Sequence, residues 1–383
     1  MVNLNLLWIN PGVEIYTPHR IEFFQELFKS KKLKIYSLND FDKKYDKDDI
    51  HRLNQFIKEK NIDFILLEPI QLIESRLDNA FLKRAINFNK YLIENCRFLM
   101  KNYEQLECKK ILIGTWLDIH SFTMDDRDIF LNFLKGGNLF YGVSSKNISF
   151  NLDPTIQTLN RKPSKIYHEL QIHDNFKDQF VPYIHSIKKL KNICDKDFMI
   201  HVPGSIGNYP QRKKVLNEIV SNKDLHSSNY ITLLNHHKKI HMDTYEKKNL
   251  ENFYLYNYFY SLVIEKSKYN YVDGGFMNVP VRKYVEVPSL GSCMISPNLP
   301  VLKEYGFTKN IDFIEYDERN NIKDLINDVS DTEYSRILNS SREKIKKNHT
   351  NEKRCDDFVK AFKKVLTNEY NGSSYIDGKL VFN

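Results

Sequence analysis

"VPVRKYVEVPSLGSCMISP" (residues 279–297) combines a short helical segment, a turn at Gly291 and the strand-like run SCMIS. Arg282 and Glu286 are four residues apart, so a helix would place both side chains on one face. The pair is either a solvated salt bridge, worth a few tenths of a kcal/mol, or a ligand clamp. In a clamp, the guanidinium would hold a diphosphate or carboxylate, and the carboxylate would accept hydrogen bonds from vicinal sugar hydroxyls.

The residues on either side define this short helix. A Gly-Gly loop that includes Gly275 leads to Asn278, a candidate N-cap, and Pro280 fits the first helical turn. Pro288 follows Glu286 by two residues, where it would shorten or kink the helix and change the direction of Glu286. The sequence therefore predicts that the helix ends close to its own carboxylate.

A second segment, "HVPGSIGNYPQRKKVL" (201–216), predicts a strand, a Gly-Ser loop and a helix. Gly204 would let the backbone approach a ligand, and Ser205 offers a hydroxyl and an amide. The following helix start favours anions, and Arg212 would add positive charge. The alternative is an ordinary strand-to-helix turn. The segment lacks both GxGxxG and GK[ST], which weakens a dehydrogenase or NTPase interpretation.

Both segments belong to a long alternation of strands and helices. Apolar runs at 4–9, 33–38, 62–69, 109–116 and 138–144 predict five buried strands in the first half of the chain. A second series begins at 198–205, includes a strand at 230–236 and ends with helices at 322–329 and 331–366. Continuous apolar strands separated by helices are typical of a parallel sheet covered on both faces. Ligands bind such sheets beyond the carboxyl ends of the strands.

The predicted fold class is therefore α/β, with two Rossmann-like domains facing each other across a cleft. The expected divisions are a first domain at 1–193, a second at 194–350, and a C-terminal helix and tail at 351–383. The terminal helix is expected to cross back onto the first domain.

The second half resembles the C-terminal half of a GT-B glycosyltransferase, and is most similar to the CgeB-type, spore-coat glycosyltransferase-like group. The resemblance covers roughly 200–345, and for 1–190 it rests on strand and helix order and on "GTWLDIH" (114–120). Its matching residues are Gly204, Ser205, Tyr209, Pro210, Arg212, Arg282, Glu286 and Gly291.

This resemblance implies that the second domain binds a nucleotide-sugar donor. Glu286 would bind hydroxyls of the ribose or sugar, and Arg282 with the loop at 204–205 would contact the phosphates. The donor-binding residues expected on these grounds are Gly204, Ser205, Tyr209, Arg212, Gly275, Asn278, Arg282 and Glu286.

The first domain offers candidates for a catalytic base. Asp118 and His120 follow the fourth predicted strand, and either could deprotonate an acceptor hydroxyl if the anomeric centre inverts. His19 follows the first strand, in a loop expected on the acceptor side. The structural alternatives are a helix cap or turn for Asp118, a surface position for His120 and a structural role for His19.

Composition limits the remaining classes. Lys and Arg number 57 and Asp and Glu 49, giving a mild net charge of +8 without a dense basic block, so a dedicated nucleic-acid binder is not indicated. The 5 cysteines are far apart, which favours free thiols and a reducing compartment. Neither a signal peptide nor a membrane-spanning run is evident, so we expect a cytoplasmic protein.

The sequence thus predicts a glycosyltransferase that moves a sugar from a nucleotide-sugar donor to a hydroxyl acceptor, such as a glycan, a glycoconjugate or a modified base. No DxD lies between two apolar strands, so no metal and no other cofactor is expected. Nucleic acid enters only as an acceptor. The alternatives are a nucleotide-sugar epimerase of the same fold and a non-catalytic module that binds an anionic polymer.

Overall fold

A computed structural model describes most of the second half of the chain and parts of the first half. The described residues are 4–8, 23, 26–27, 29–30, 33–37, 46, 49–67, 98, 101–114, 139–143, 178, 180–204, 210–222, 224–225, 250–274 and 280–383.

The first half forms a six-stranded, fully parallel sheet with strand order β2-β1-β3-β4-β5-β6. Its strands are β1 (Leu4–Trp8), β2 (Leu33–Ser37), β3 (Phe64–Leu67), β4 (Lys109–Gly114), β5 (Leu139–Val143) and β6 (Phe180–Tyr183). The five predicted strands are confirmed. Helix α1 (Asp49–Glu59) precedes β3 and buries Ile50, Leu53 and Ile57, which share one face at spacings of three and four. A short 3₁₀ helix (Tyr103–Gln105) precedes β4.

The sixth strand was not predicted, because its sequence is FVPY and contains a proline. Proline cannot donate a backbone hydrogen bond and is therefore confined to sheet edges. Pro182 lies in β6, and β6 is an edge strand of this sheet. An edge position thus resolves the conflict between a proline and a strand.

The second half forms a four-stranded parallel sheet with order β10-β9-β8-β7. Its strands are β7 (Phe198–His201), β8 (Ser267–Tyr271), β9 (Cys293–Ser296) and β10 (Ile314–Glu315). Helices α2 (Pro210–Ser221) and α3 (Leu250–Lys266) lie between β7 and β8 in the chain. Helices α4 (Lys283–Ser289) and α5 (Pro300–Glu304) lie before and after β9. The predicted strand at 230–236 lies outside the described residues.

The chain closes with α6 (Ile322–Asn327), α7 (Asp331–Asn348), α8 (Asn351–Leu366) and a hairpin of β11 (Ser373–Ile376) and β12 (Lys379–Phe382). Helices α7 and α8 are separated because Thr350 caps α8, its hydroxyl accepting from the Lys353 amide. Ile187, from the segment after β6, also pairs with the backbone at this break: its amide donates to His349 O and its carbonyl accepts from Asn351 N. The tail that was expected to follow the terminal helix forms the hairpin of β11 and β12.

Helix α8 packs on the first sheet, as expected of a terminal helix that crosses back. Phe358 and Phe362 are buried in one apolar cluster with residues of β1 and β3. The Phe362 ring lies 5.4 Å from that of Phe64, and the Phe358 ring lies 6.2 Å from that of Phe23. The Lys109 ammonium also donates to the carbonyl of Val365 at 3.0 Å. Among the described helices, none is both long and apolar enough to cross a bilayer.

Candidate functional site

Helix α4 carries the Arg282 and Glu286 pair and is only seven residues long. It begins later than predicted: Pro280 precedes the helix, and Arg282 is the N-cap residue. Pro288 lies inside the last turn and cannot donate a backbone hydrogen bond, so the helix ends at Ser289. Gly291 follows with φ +81°. The expectation of a helix that ends close to Glu286 is confirmed.

The last carbonyls of α4, which have no partner within the helix, are capped from two sides. Arg342 of α7 donates from Nη1 to Pro288 O at 2.9 Å and to Ser289 O at 3.3 Å. The Lys191 amide donates to Ser289 O at 2.9 Å. A cation at a helix C-terminus also complements the helix dipole. These contacts fix α4 although a proline interrupts it.

Arg282 and Glu286 meet as the spacing predicts, with Nη1 and Oε1 3.6 Å apart. The pair is not a solvated surface bridge, because Glu286 is only 7% exposed. Its other oxygen, Oε2, accepts a hydrogen bond from the Tyr260 hydroxyl at 3.4 Å. The carboxylate is therefore oriented from two sides.

Arg212 makes a stronger ion pair that sequence reasoning missed. Its Nε donates to Asp273 Oδ1 at 2.7 Å, and Nη2 lies 2.7 Å from the same oxygen. The two side chains are 3% and 6% exposed. Arg212 belongs to α2, and Asp273 lies two residues beyond β8. Because β7 and β8 are parallel neighbours, the loop before α2 and Asp273 both follow the carboxyl ends of strands, at one sheet edge.

Gly204 lies three residues beyond β7 and has φ +99°, a conformation that side chains other than glycine rarely adopt. A Cβ atom here would lie 3.0 Å from both Cε and Nζ of Lys283, and 3.3 Å from Nη1 of Arg212. The group that approaches the bare backbone of Gly204 is therefore the ammonium of Lys283. The glycine was predicted to make room for a ligand, and it also makes room for this lysine.

Burial and nearby charges lower the pKa values of two basic groups at this site, Lys283 of α4 and His185. Burial, and after it the charges of the Arg212 and Arg282 guanidinium groups, lower the pKa of Lys283 to about 8, while Glu286 and Asp273 oppose the shift. Part of the Lys283 side chain remains accessible. His185, two residues beyond β6, is buried, and burial with the charges of Arg282 and Lys283 lowers its pKa to about 3. His185 is therefore neutral at physiological pH.

The structure thus brings four of the predicted donor-binding residues to one place: Gly204, Arg212, Arg282 and Glu286. The other predicted site residues lie outside the described part of the chain: Ser205, Tyr209, Gly275 and Asn278 for the donor, and His19, Asp118 and His120 for the base. Four members of the site were not predicted: Asp273, His185, Lys283 and Tyr260. Asp273 was missed because β8, the strand that it follows, was itself not predicted.

Among the described residues, no group of three or more histidine, cysteine or acidic side chains could hold a metal ion. A surface groove runs along α2 to the N-cap of α6 and is lined by Lys213, Lys214, Asn217, Glu218, Ser221, Asn222 and Asn321. Of the predicted site residues that the structure describes, none lines this groove.

The sequence matches no protein-family model and no curated protein. In structure, the chain is similar to a glycosyltransferase from Rickettsia africae, with a TM-score of 0.50 at 12% identity, covering 96% of this chain and 100% of that one. A sucrose-phosphate synthase from Thermosynechococcus elongatus gives 0.49 at 9% identity, with coverage of 96% and 100%. Anabaena HepE in complex with UDP and glucose gives 0.44 at 9% identity, with coverage of 94% and 100%.

The two parallel sheets, their covering helices and the likeness to the Rickettsia structure define a two-domain, Rossmann-like GT-B fold. This confirms the predicted fold class. The closer similarity to the CgeB-type group stays a prediction.

Proposed function

We propose that this protein is a glycosyltransferase that takes a sugar from a nucleotide-sugar donor and transfers it to a hydroxyl acceptor. One observation carries the proposal. The carboxyl edge of the second sheet brings together the bare backbone of Gly204, the Arg282 and Glu286 pair, and a buried Arg212. Cations beside a buried, oriented carboxylate suit a ligand that carries both phosphates and hydroxyls.

Each residue has a distinct role in this proposal. Glu286, held by Tyr260 and Arg282, accepts hydrogen bonds from hydroxyls of the ribose or the sugar. Arg282 and the loop at Gly204 face the diphosphate. Arg212 supports the loop and lends positive charge, since Asp273 already takes its Nε and Nη2.

The reaction forms a bond between the acceptor oxygen and the anomeric carbon, and breaks the bond between that carbon and the diphosphate. Negative charge accumulates on the departing diphosphate, and preorganised cations stabilise such charge. We propose that the side chains of this edge supply that stabilisation without a metal ion. Asp118 or His120, with His19 as a further candidate, is proposed to remove the acceptor proton.

The first test is a thermal-shift screen against UDP-, GDP-, CMP- and dTDP-sugars, because a ligand bound to the native state raises the melting temperature. The donor with the largest shift is then incubated with a panel of hydroxyl acceptors, with and without EDTA. Transfer that persists in EDTA is expected. Release of an epimerised nucleotide-sugar without acceptor would replace the proposal with an epimerase.

Glu286→Gln tests the site itself, and Glu304→Gln is its control. Both glutamates are 7% exposed, but Glu304 belongs to α5. We expect Glu286→Gln to weaken donor binding by about tenfold or more, as for loss of a charged hydrogen bond. The control should bind normally. Equal donor affinity in Glu286→Gln and the wild type would exclude this carboxylate from the donor site.

A further inference from the structure

The candidate site contains three cations, and they differ in how their charge is compensated. Arg212 is paired with Asp273 at 2.7 Å, and Arg282 lies 3.6 Å from Glu286. The Lys283 side chain makes no hydrogen bond or ion pair with any residue that the structure describes. Its ammonium lies instead beside the backbone of Gly204, where a Cβ atom would come within 3.0 Å of it.

The charges around Lys283 balance without it. The groups that act on its ammonium are Arg212 from α2, Asp273 from the loop after β8, Arg282 and Glu286 from α4, and His185 from the segment after β6. His185 is neutral, and the two guanidinium groups are matched by the two carboxylates. Among these described groups, the ammonium is therefore the charge that has no counterpart, and it lies next to the backbone of Gly204.

Resting on the proposed function, we propose that the Lys283 ammonium is the group that recognises the diphosphate of the donor, and that donor binding requires Lys283 to be protonated. This inference differs from the expectation drawn from the sequence, in which Arg282 and the loop at 204–205 carry that contact. Arg282 and the neighbouring Arg212 already have carboxylate partners.

Lys283 would make donor affinity sensitive to pH within the physiological range. Burial, followed by the charge of Arg212, lowers the pKa of Lys283 to about 8. In the free protein, the Lys283 amine is then mostly protonated at pH 7 and mostly deprotonated at pH 9. If only the protonated form binds, the apparent dissociation constant rises about tenfold between pH 7 and pH 9.

The test measures binding of UDP, GDP, dTDP, ADP and inorganic pyrophosphate to the full-length protein by calorimetry, at pH 7, 8 and 9. The variants are Lys283→Met and Lys283→Arg, and Lys303→Met, on the exposed face of α5, is the control. Arginine stays protonated at pH 9, so Lys283→Arg also controls for ionisation of the ligand itself.

We expect Lys283→Met to bind at least tenfold more weakly at pH 7 and to lose the pH dependence. Lys283→Arg should bind at pH 9 about as tightly as at pH 7, and Lys303→Met should behave like the wild type. Nucleotide binding that is unchanged in Lys283→Met would overturn this inference and leave the proposed function intact. Pyrophosphate binding that depends on Lys283, with no nucleotide bound, would support the inference and contradict the proposed function. Binding of none of the probes would overturn this inference, and the absence of a thermal shift with every nucleotide-sugar would overturn the proposed function as well.

Discussion

The buried ion pair between Arg212 and Asp273 should show strong coupling in a double-mutant cycle. Its side chains are 3% and 6% exposed, and Nη2 and Oδ1 are 2.7 Å apart. Asp273→Ala leaves a buried guanidinium without its carboxylate. Arg212→Met leaves a buried carboxylate without its guanidinium. Each single change is expected to cost about 3–5 kcal/mol in the free energy of unfolding. The double variant removes both charges together and should lose much less than the sum.

Urea unfolding of the four proteins measures this coupling, provided that the slope of the transition is unchanged between variants. We expect a coupling energy of roughly 2–3 kcal/mol. The exposed pair of Arg319 and Asp317, whose side chains are 87% and 36% exposed, is the control and should couple by less than about 1 kcal/mol. If the double variant loses the sum of the two single-variant costs to within about 0.5 kcal/mol, this reasoning is refuted.

Three further predictions concern the elements that support the site. Gly306→Ala should lower the free energy of unfolding by roughly 2–4 kcal/mol in urea titrations. The φ angle of Gly306 is +74°, and a Cβ atom there would lie 2.8 Å from the carbonyl carbon of Asp377. An unchanged urea midpoint would contradict this prediction. Burial lowers the pKa of His185 and of His349 to about 3, below the unfolded value near 6.5, so each stabilises the protein fully above pH 6.5 and loses that contribution as the pH falls towards 3. The expected loss at pH 5 is roughly 2 kcal/mol for each histidine, and an unfolding midpoint that is flat between pH 7 and pH 5 would contradict it. Arg342→Met should release the end of α4 and weaken donor binding several-fold in calorimetry, whereas exposed Lys346→Met on α7 should not.

The strands that the sequence predicts are those whose buried positions are filled by apolar side chains. Strand β8, with sequence SKYNY, was missed because it buries polar side chains. The Ser267 hydroxyl donates to Val263 O at 2.7 Å, and Asn270 donates to Ile264 O at 3.2 Å. Such local hydrogen bonds make burial of polar groups tolerable, and no hydrophobic pattern reveals them.

The terminal hairpin could have been predicted. Asp377 and Gly378 join β11 to β12 with φ of 48° and 77°, as a two-residue type I′ turn requires. An Asp-Gly pair between two short alternating runs is a strong hairpin signal. Its packing could not have been predicted, because the turn lies against Tyr305 O and His349 Nε2, which are distant in sequence.

The site was predictable only where spacing along one helix determines a contact. The separation of four residues correctly predicted the contact between Arg282 and Glu286. The pairing of Arg212 with Asp273 and the approach of Lys283 to Gly204 join residues from different elements. These contacts depend on the order of strands in the sheet, which a periodicity argument does not supply.

Hydrogen–deuterium exchange in the presence and absence of the nucleotide-sugar selected by thermal shift tests the central claim most directly. Bound ligand slows exchange of the amides that it orders or shields. We predict protection in the peptides that cover 202–204 and 282–286, at the carboxyl edge of the second sheet, and little change in β11 and β12. Protection confined to peptides of the first sheet, with 202–204 and 282–286 unchanged, would contradict a donor site built on α4.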